Sequence, residues 1–320
     1  MASVCDSGGR LGNRPYGFIL YTYISMDFTA IIQMLINALR PGALYALIGL
    51  GFVIVYLATG SINFAQGEFI ALGGLTCAWL IAAGIPMLAA IALTLVLGIA
   101  LGWLMDHALI RPLSRGSGGS LTRMVTLTIG ASVLFRQIGF HLFGPNERPM
   151  PTLFRQQVIV LGELRIETQA LVLVVVSVAV ILLFLVFYYR SRFGRGMRAI
   201  EQSREGAVLV GVRPERIINR SFVMAAFIGV LCGVLATPLI QMAYNSGSQL
   251  GVKGFTVAIL GGLTNPLGVL VGGLLLGLVE TGVATFINPL YKDAIALTVL
   301  IVMLIVRPTG LLGSREKAKL

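Results

Sequence analysis

The sequence predicts an all-α, polytopic integral membrane bundle. Three observations carry this. First, 57% of the residues are hydrophobic and only 12% are charged, where an ordinary soluble domain carries about 25% charged residues. Second, nearly uncharged segments of about 18 residues or more recur along the chain, the length needed to cross hydrocarbon as a helix. Third, the alternating pattern of roughly 10 residues that marks an outer-membrane barrel strand is absent. The formal charge of +11 fits the same picture. The arginines gather between apolar segments, where membrane topology accounts for them and nucleic acid does not.

Taken in order, residues 1–27 form an N-terminal extension. Within 1–25 no compact basic region leads into an apolar core with a small-residue cleavage site, so a secretory signal is not expected. Met26-Asp27 opens the first well-patterned segment, and Met26 is expected to be the native start. Apolar segments follow near 28–57, 62–83, 86–109, 124–143, 169–189, 221–243, 255–287 and 291–306. Arg40-Pro41-Gly42 interrupts the first and predicts two pieces. Thr264-Asn265-Pro266 interrupts the seventh, which predicts two short spans or a half-helix plus one span.

Loop charges set the orientation. Loop 110–123 carries Arg111, Arg115 and Arg123 and no acid, and loop 190–220 carries eight arginines against three glutamates. The tail adds Arg315, Lys317 and Lys319 against Glu316. These three face the cytoplasm. Loop 144–168 balances Arg148, Arg155 and Arg165 against Glu147, Glu163 and Glu167, and faces outward. An even number of crossings must separate residue 220 from a cytoplasmic tail, so the broken 255–287 segment is expected to supply a fourth crossing. The total is about 8–10 transmembrane helices, with broken or re-entrant segments.

The two interrupted regions share a texture. Residues 42–74 and 257–280 are glycine-dense, and each holds a polar break: Ser61, Asn63, Gln66 and Glu68 in one, Thr264 and Asn265 in the other. Paired broken helices in two halves of a transporter point to a pathway near the midplane. Irregular backbone at that depth is tolerated only inside protein or against a water-filled cavity. Asn63, Gln66, Glu68, Thr264 and Asn265 are therefore candidates for lining or gating a path, with capping and interhelical hydrogen bonding as the competing roles. Gly261, Gly262, Gly268, Gly272, Gly273 and Gly277 read as helix-packing residues, some at small-xxx-small spacing. Glu68 is the sharpest case. An acid near a helix centre costs about 2.5–3.5 kcal/mol on insertion scales, so it must face a cavity, find a partner or lie near the interface. Glu280, Asp106 and His107 fit span ends.

Several chemistries are missing. Cys5, Cys77 and Cys232 have no metal-ligand spacing, His141 stands alone, and no metal site is expected. The chain has four lysines, Lys253, Lys292, Lys317 and Lys319, and none follows a phosphate-binding glycine loop, so no cofactor or nucleotide site is expected in this chain. Ionisable groups within the spans are too scarce for a typical ion-coupled carrier. Driving energy is expected from outside the chain.

The one sizeable polar surface is Arg190–Arg220. Gly194 and Gly196 bracket a turn, Met197 to Val210 reads as one short amphipathic helix, Gly211 is its stop, and Pro214 opens the next helix. The competing account is a solvated, positive-inside loop.

Here the chain resembles a known family. GRGMRAIEQSREGAVLVGVRPERIINRSF is similar to the coupling-loop region of ABC-importer permeases of the branched-chain amino acid type (LivH-like). GALYALIGLGFVIVY…GSINFAQGEF resembles that family's N-terminal signature, and FTVAILGGLTNPLGVLVGGLLLGLVET and RPTGLLG its C-terminal ones. The match covers about 28–313, taken as one transmembrane domain with 190–220 as its coupling region and 314–320 as a cytoplasmic tail. The family more often has histidine where this chain has Gln66.

The resemblance implies a multi-pass subunit of the bacterial inner membrane that is not itself an enzyme. It implies a second related permease, two cytoplasmic ATPases holding ATP and Mg, and a periplasmic solute-binding protein. It also implies an ATPase-docking helix, whose matching positions are Arg198, Ala199, Glu201, Ala207 and Gly211. The expected cargo is branched-chain amino acids, moved by alternating access. The alternatives are the same permease class serving urea, amides or another small polar solute, and an ATP-independent transporter or channel.

Overall fold

The computed structural model describes residues 28–114, 121–152, 158–307 and 309–313. The N-terminal extension with its proposed Met26 start, Cys5, Arg115, Arg155 and the tail 314–320 lie outside the described residues.

Eleven helices carry the architecture. They are α1 (Phe28–Thr59), α2 (Gln66–Ala82), α3 (Met87–Leu104), α4 (Leu121–Phe143), α5 (Thr168–Arg190), α6 (Arg192–Gln202), α7 (Arg204–Leu209), α8 (Pro214–Ala236), α9 (Ser246–Gly261), α10 (Pro266–Phe286) and α11 (Lys292–Val306). A π-helical turn, Met105–Ile110, extends α3, and the helix resumes for Arg111–Ser114. A two-stranded antiparallel hairpin, β1 (Val158–Leu161) with β2 (Leu164–Glu167), precedes α5, and its turn holds Gly162 at φ +66°. Seven helical segments are long and apolar enough to cross a membrane, and α2 is a shorter apolar helix of 17 residues. α9, of 16 residues, is shorter still.

The passes alternate consistently between two ends. At the outer end Gln33 of α1 bonds the backbone of Arg165, Arg40 pairs with Glu167, and Arg148 bridges Met242. At the inner, arginine-rich end Asn219 of α8 meets Asp106, and residues 309–313 pack on Gly262. The 255–287 segment divides between two helices, the end of α9 and α10. It breaks at Gly262–Asn265, with Gly262 at φ +103°.

Three expected boundaries are corrected. Arg40-Pro41-Gly42 does not divide the first segment, because α1 is one helix of 32 residues with Pro41 inside it. Proline there removes one hydrogen bond, but Gly42 next to it is a packing point: a Cβ on Gly277 would come 2.6 Å from the Gly42 Cα. The break falls instead at Gly60–Ala65. The Met197–Val210 helix is two helices, α6 and α7, separated at Ser203 in extended conformation (φ −159°, ψ 118°). Gly194 and Gly196 lie inside α6 rather than at a turn. There a Cβ on Gly194 would overlap the Tyr188 carbonyl.

Packing shows an internal repeat, α1–α4 against α8–α11. Gly98 and Gly102 of α3 seat on α8 at Val230 and Val223, as Gly273 and Gly277 of α10 seat on α1 at Ala46 and Gly42. Gly74 of α2 meets Gly233 of α8, as Gly254 of α9 meets Gly49 of α1. On the axis between the halves, α2 and α9 meet near their N-termini, where a Cβ on Gly67 would overlap the Gly247 carbonyl. Backbones this close need the small residues at the contact. The structural counterpart of the Gly60–Ala65 break is thus Thr237–Asn245, before α9, and not 262–265 after it.

Candidate functional site

Two places gather the residues singled out in the sequence: the inner-end helix pair α6–α7, and the centre of the bundle where α2 and α9 begin.

α6 forms because Ser191 caps it, its Oγ accepting from Gly194 N at 2.9 Å. One face, Phe193, Met197 and Ile200, is buried against the inner ends of the long helices. Arg198 donates to the carbonyls of Tyr188 (2.6 Å) and Tyr189 (3.3 Å), and its guanidinium lies 5.1 Å from the Tyr188 ring centroid. It satisfies the last carbonyls of α5 and opposes that helix's negative end. Ala199 is half-buried, and Glu201 accepts from Tyr188 Oη at 3.3 Å. Arg198 and Glu201 therefore fix α6 to α5.

α7 behaves differently. Ser203 Oγ caps it by accepting from Gly206 N at 3.1 Å. Ala207 is buried. Gly211, at φ +83°, closes the helix with paired bonds, Val212 N to Ala207 O and Gly211 N to Val208 O, the glycine-stopped ending in which both orphan carbonyls are satisfied. This turn projects Val208, Leu209 and Val210, with Leu209 88% exposed. The sequence groups Val208 and Leu209 with Met197 and Ile200 as the apolar residues of one amphipathic helix. The break at Ser203, which changes the helical phase, turns them outward.

At the centre, Asn63 Oδ1 accepts from Ala65 N (3.1 Å), and its buried Nδ2 has no partner among the described residues. Gln66 Nε2 donates to Ala225 O at 2.9 Å, and the side chain fills the space left by Gly51 and Gly229, so it links α2 to α1 and α8. Glu68, 2% exposed, is partnered: Oε1 accepts from Arg136 Nη2 (2.9 Å), Arg136 Nε (3.3 Å) and Ser132 Oγ (3.0 Å), all from α4. Thr264 and Asn265 lie at the inner end. Asn265 Oδ1 caps α10 by accepting from Leu267 N (3.0 Å), and its Nδ2 donates to Leu312 O (3.0 Å). The RPTGLLG segment is held there, with Leu311 N bonding Leu260 O. Gly261 and Gly268 meet backbone to backbone, Gly272 sits against Gly261, and Gly262 packs on Gly313.

Sequence reading missed three partners. Arg136 was hidden within an apolar span. Lys253 pairs with Glu280 (2.7 Å) and Asp293 (2.8 Å) and donates to Tyr45 Oη (3.0 Å), at an outer cavity of about 1140 Å³. Asn219 donates to Asp106 (2.8 Å), which also accepts from Arg111 Nε (2.7 Å), tying the π turn of α3 to the first turns of α8. A search for opposite charges across spans could have flagged the first two, but not their pairing. Among the described residues no group of His, Cys, Asp or Glu could hold a metal ion.

A bundle with broken half-helices at its centre and a capped knuckle outside it defines a polytopic membrane permease. Residues 34–304 match the family model described as "Branched-chain amino acid transport system / permease component", and the chain belongs to that family. It is 31% identical over 313 residues to the high-affinity branched-chain amino acid transport system permease protein LivH of Escherichia coli K12, covering 92% of this chain and all of that one. It is 34% identical over 309 residues to BraD of Pseudomonas aeruginosa, covering 90% and 97%. A more distant match is the ribose import permease protein RbsC of Escherichia coli K12, at 22% identity and 78% of each chain. Among solved structures, PsaBC from Streptococcus pneumoniae in complex with Fab aligns over 91% of this chain and 97% of that one, with TM-score 0.49 and 11% identity.

Proposed function

We propose that this chain is the membrane-spanning permease subunit of an ATP-driven importer for branched-chain amino acids in the bacterial inner membrane. A periplasmic binding protein delivers the solute, a second related permease completes the path, and two cytoplasmic ATPases, which hold ATP and Mg, dock on α7. The roles printed for LivH and BraD support the cargo. The observation that carries the coupling is the α7 knuckle: three exposed apolar side chains, Val208, Leu209 and Val210, on a rigid turn between Ser203 and Gly211 at the arginine-rich end.

The mechanism follows from how that knuckle is held. A partner gripping Leu209 moves α7, and the chain enters α8 two residues after Val212. α6 is fixed to α5 through Arg198. Closure of the ATPases therefore pulls on α5 and α8 together. α8 in turn moves α3 through Asn219 and Asp106. The long helices rock, and the half-helices α2 and α9 at their junction switch the path between outward and inward openings.

The test is ATPase activity of the assembled complex, stimulated by loaded binding protein. Leu209→Asp and Gly211→Trp are expected to abolish stimulation while membrane insertion and assembly persist. Normal coupling in both variants would refute docking at α7. The second reading keeps the class and changes the cargo, and the match to a ribose permease is the observation that favours it. Titrating the cognate binding protein with amino acids, urea and sugars separates the two.

A further inference from the structure

About two turns from the outer end of α4, the bundle holds a charge that the coupling scheme does not use. Arg136 lies on α4, a helix running from Leu121 at the inner end to Phe143 at the outer. Its side chain is 32% exposed, while the Glu68 carboxylate behind it is 2% exposed. A guanidinium facing lipid costs about 2.5–3.5 kcal/mol on insertion scales at a helix centre. The usual escape is to reach towards the membrane surface. Arg136 does the reverse: its head turns inward, giving Nε (3.3 Å) and Nη2 (2.9 Å) to Glu68 Oε1.

The rest of α4 is less apolar than a helix of the same exposure elsewhere in the bundle. The best spans of α4 and α5 are equally open, each 28% buried, yet their mean hydropathies are 1.2 and 3.4. Exposed residues of α5 from Leu171 to Phe187 are all apolar, whereas α4 exposes Thr126, Gly130, Gln137 and His141 among apolar Ile129, Val133, Leu134, Ile138, Phe140 and Leu142. A polar exposed face at membrane depth belongs against water or protein.

The field at this point is positive. α2 and α9 both begin beside Glu68, since a Cβ on Gly247 would come 2.8 Å from Glu68 Oε2. Neither half-helix has a side-chain cap. Two helix N-termini contribute about half a positive charge each, and the Glu68–Arg136 pair sums to zero, so the centre keeps an excess of about one positive charge. Glu68 occupies only one edge of the guanidinium. Among the described residues Nη1 has no hydrogen-bond partner, so the edge made by Nη1 and the second Nη2 hydrogen is open. That edge is the fork that matches a carboxylate with two parallel bonds.

We propose that Arg136 is the group in the solute path that contacts a carboxylate on the cargo, and that Glu68 positions it. Resting on the importer reading above, this assigns the carboxylate of an amino-acid cargo to one residue of this chain. Glu68 orients the guanidinium and lowers its insertion cost, and Arg136 makes the contact.

The experiment uses the full chain in native membranes, with its assembled subunits, carrying Gln137→Cys next to Arg136. Two water-soluble methanethiosulfonate reagents serve as probes, one bearing a sulfonate and one a trimethylammonium group, with the parent chain as blank. Position 137 is expected to react and to favour the sulfonate, while Val175→Cys on α5 stays unreactive. Adding Arg136→Gln should lower the sulfonate-to-ammonium rate ratio about tenfold, the effect of removing one nearby charge. L-leucine should slow the reaction, and leucinamide, which lacks the carboxylate, should not. No reaction at 137, or a ratio indifferent to Arg136→Gln, would mean that lipid or a partner subunit covers Arg136, and overturns the proposal. Equal effects of leucine and leucinamide, including no effect of either, overturn the carboxylate assignment. Arg136→Gln alone leaves Glu68 unpaired and endangers folding, so the double variant Glu68→Gln/Arg136→Gln, a neutral pair able to hydrogen-bond, must show the same fall in ratio. The labelling needs no ATP hydrolysis. An uncoupled chain still gives the readout, which separates failure here from failure of the importer reading.

Discussion

Individual residues decide how closely the helices approach. Gly233 of α8 is a tight case, because a Cβ there would overlap the Ile70 carbonyl and come 2.8 Å from Gly74 N. Neither neighbour is a flexible side-chain end, so the helices must separate. Gly233→Leu is expected to destabilise the fold by at least the 1–3 kcal/mol or so typical of overpacking. Gly130→Leu, where nothing lies within 4 Å, should be nearly neutral. Thermal unfolding in detergent compares them, and equal shifts would contradict the packing. Composition marks both positions only as glycine in an apolar span. The difference between them lies in which face meets another backbone.

Among the elements, α6 and α7 divide the labour. α6 is fixed by Arg198 to the last carbonyls of α5, and α7 carries the exposed knuckle. Arg198→Gln should loosen α6 and lower binding-protein-stimulated ATPase several-fold, while leaving assembly with the ATPases intact. A pull-down of the complex alongside its ATPase rate reads both. Loss of assembly instead would mean that Arg198 itself meets the partner. The amphipathic spacing of Met197 and Ile200 makes α6 legible in the sequence, and Gly211 and Pro214 mark the far boundaries. The break at Ser203 was not legible. Serine is a common cap, but nothing local says that the chain turns extended there. That single extended residue separates exposed Val208 and Leu209 from buried Met197 and Ile200.

Among the described residues the molecule is an inverted pair of four-helix units, α1–α4 and α8–α11, joined through α5, α6 and α7. The arrangement predicts opposite labelling. Glu147→Cys should react with an impermeant thiol reagent from outside, and Gln202→Cys only after the inner face is opened. Reaction of both from one side would break the trace. Loop arginines predict this orientation from the sequence alone, because the positive-inside bias is a property of loop composition and needs no packing. Apolar length marked the long segments for the same reason, but not where they break: Pro41 lies inside α1, and the break falls at Gly60–Ala65. What only the tertiary structure decided is which polar residues meet. Glu68 was visible as a costly buried acid, but its partner Arg136 is 68 positions away on another span. The pairing exists only because Gly67 and Gly247 let α2 and α9 start side by side and bring α2 against α4. Local pattern fixes what each segment is. Close approach between distant backbones fixes which chemistry they share.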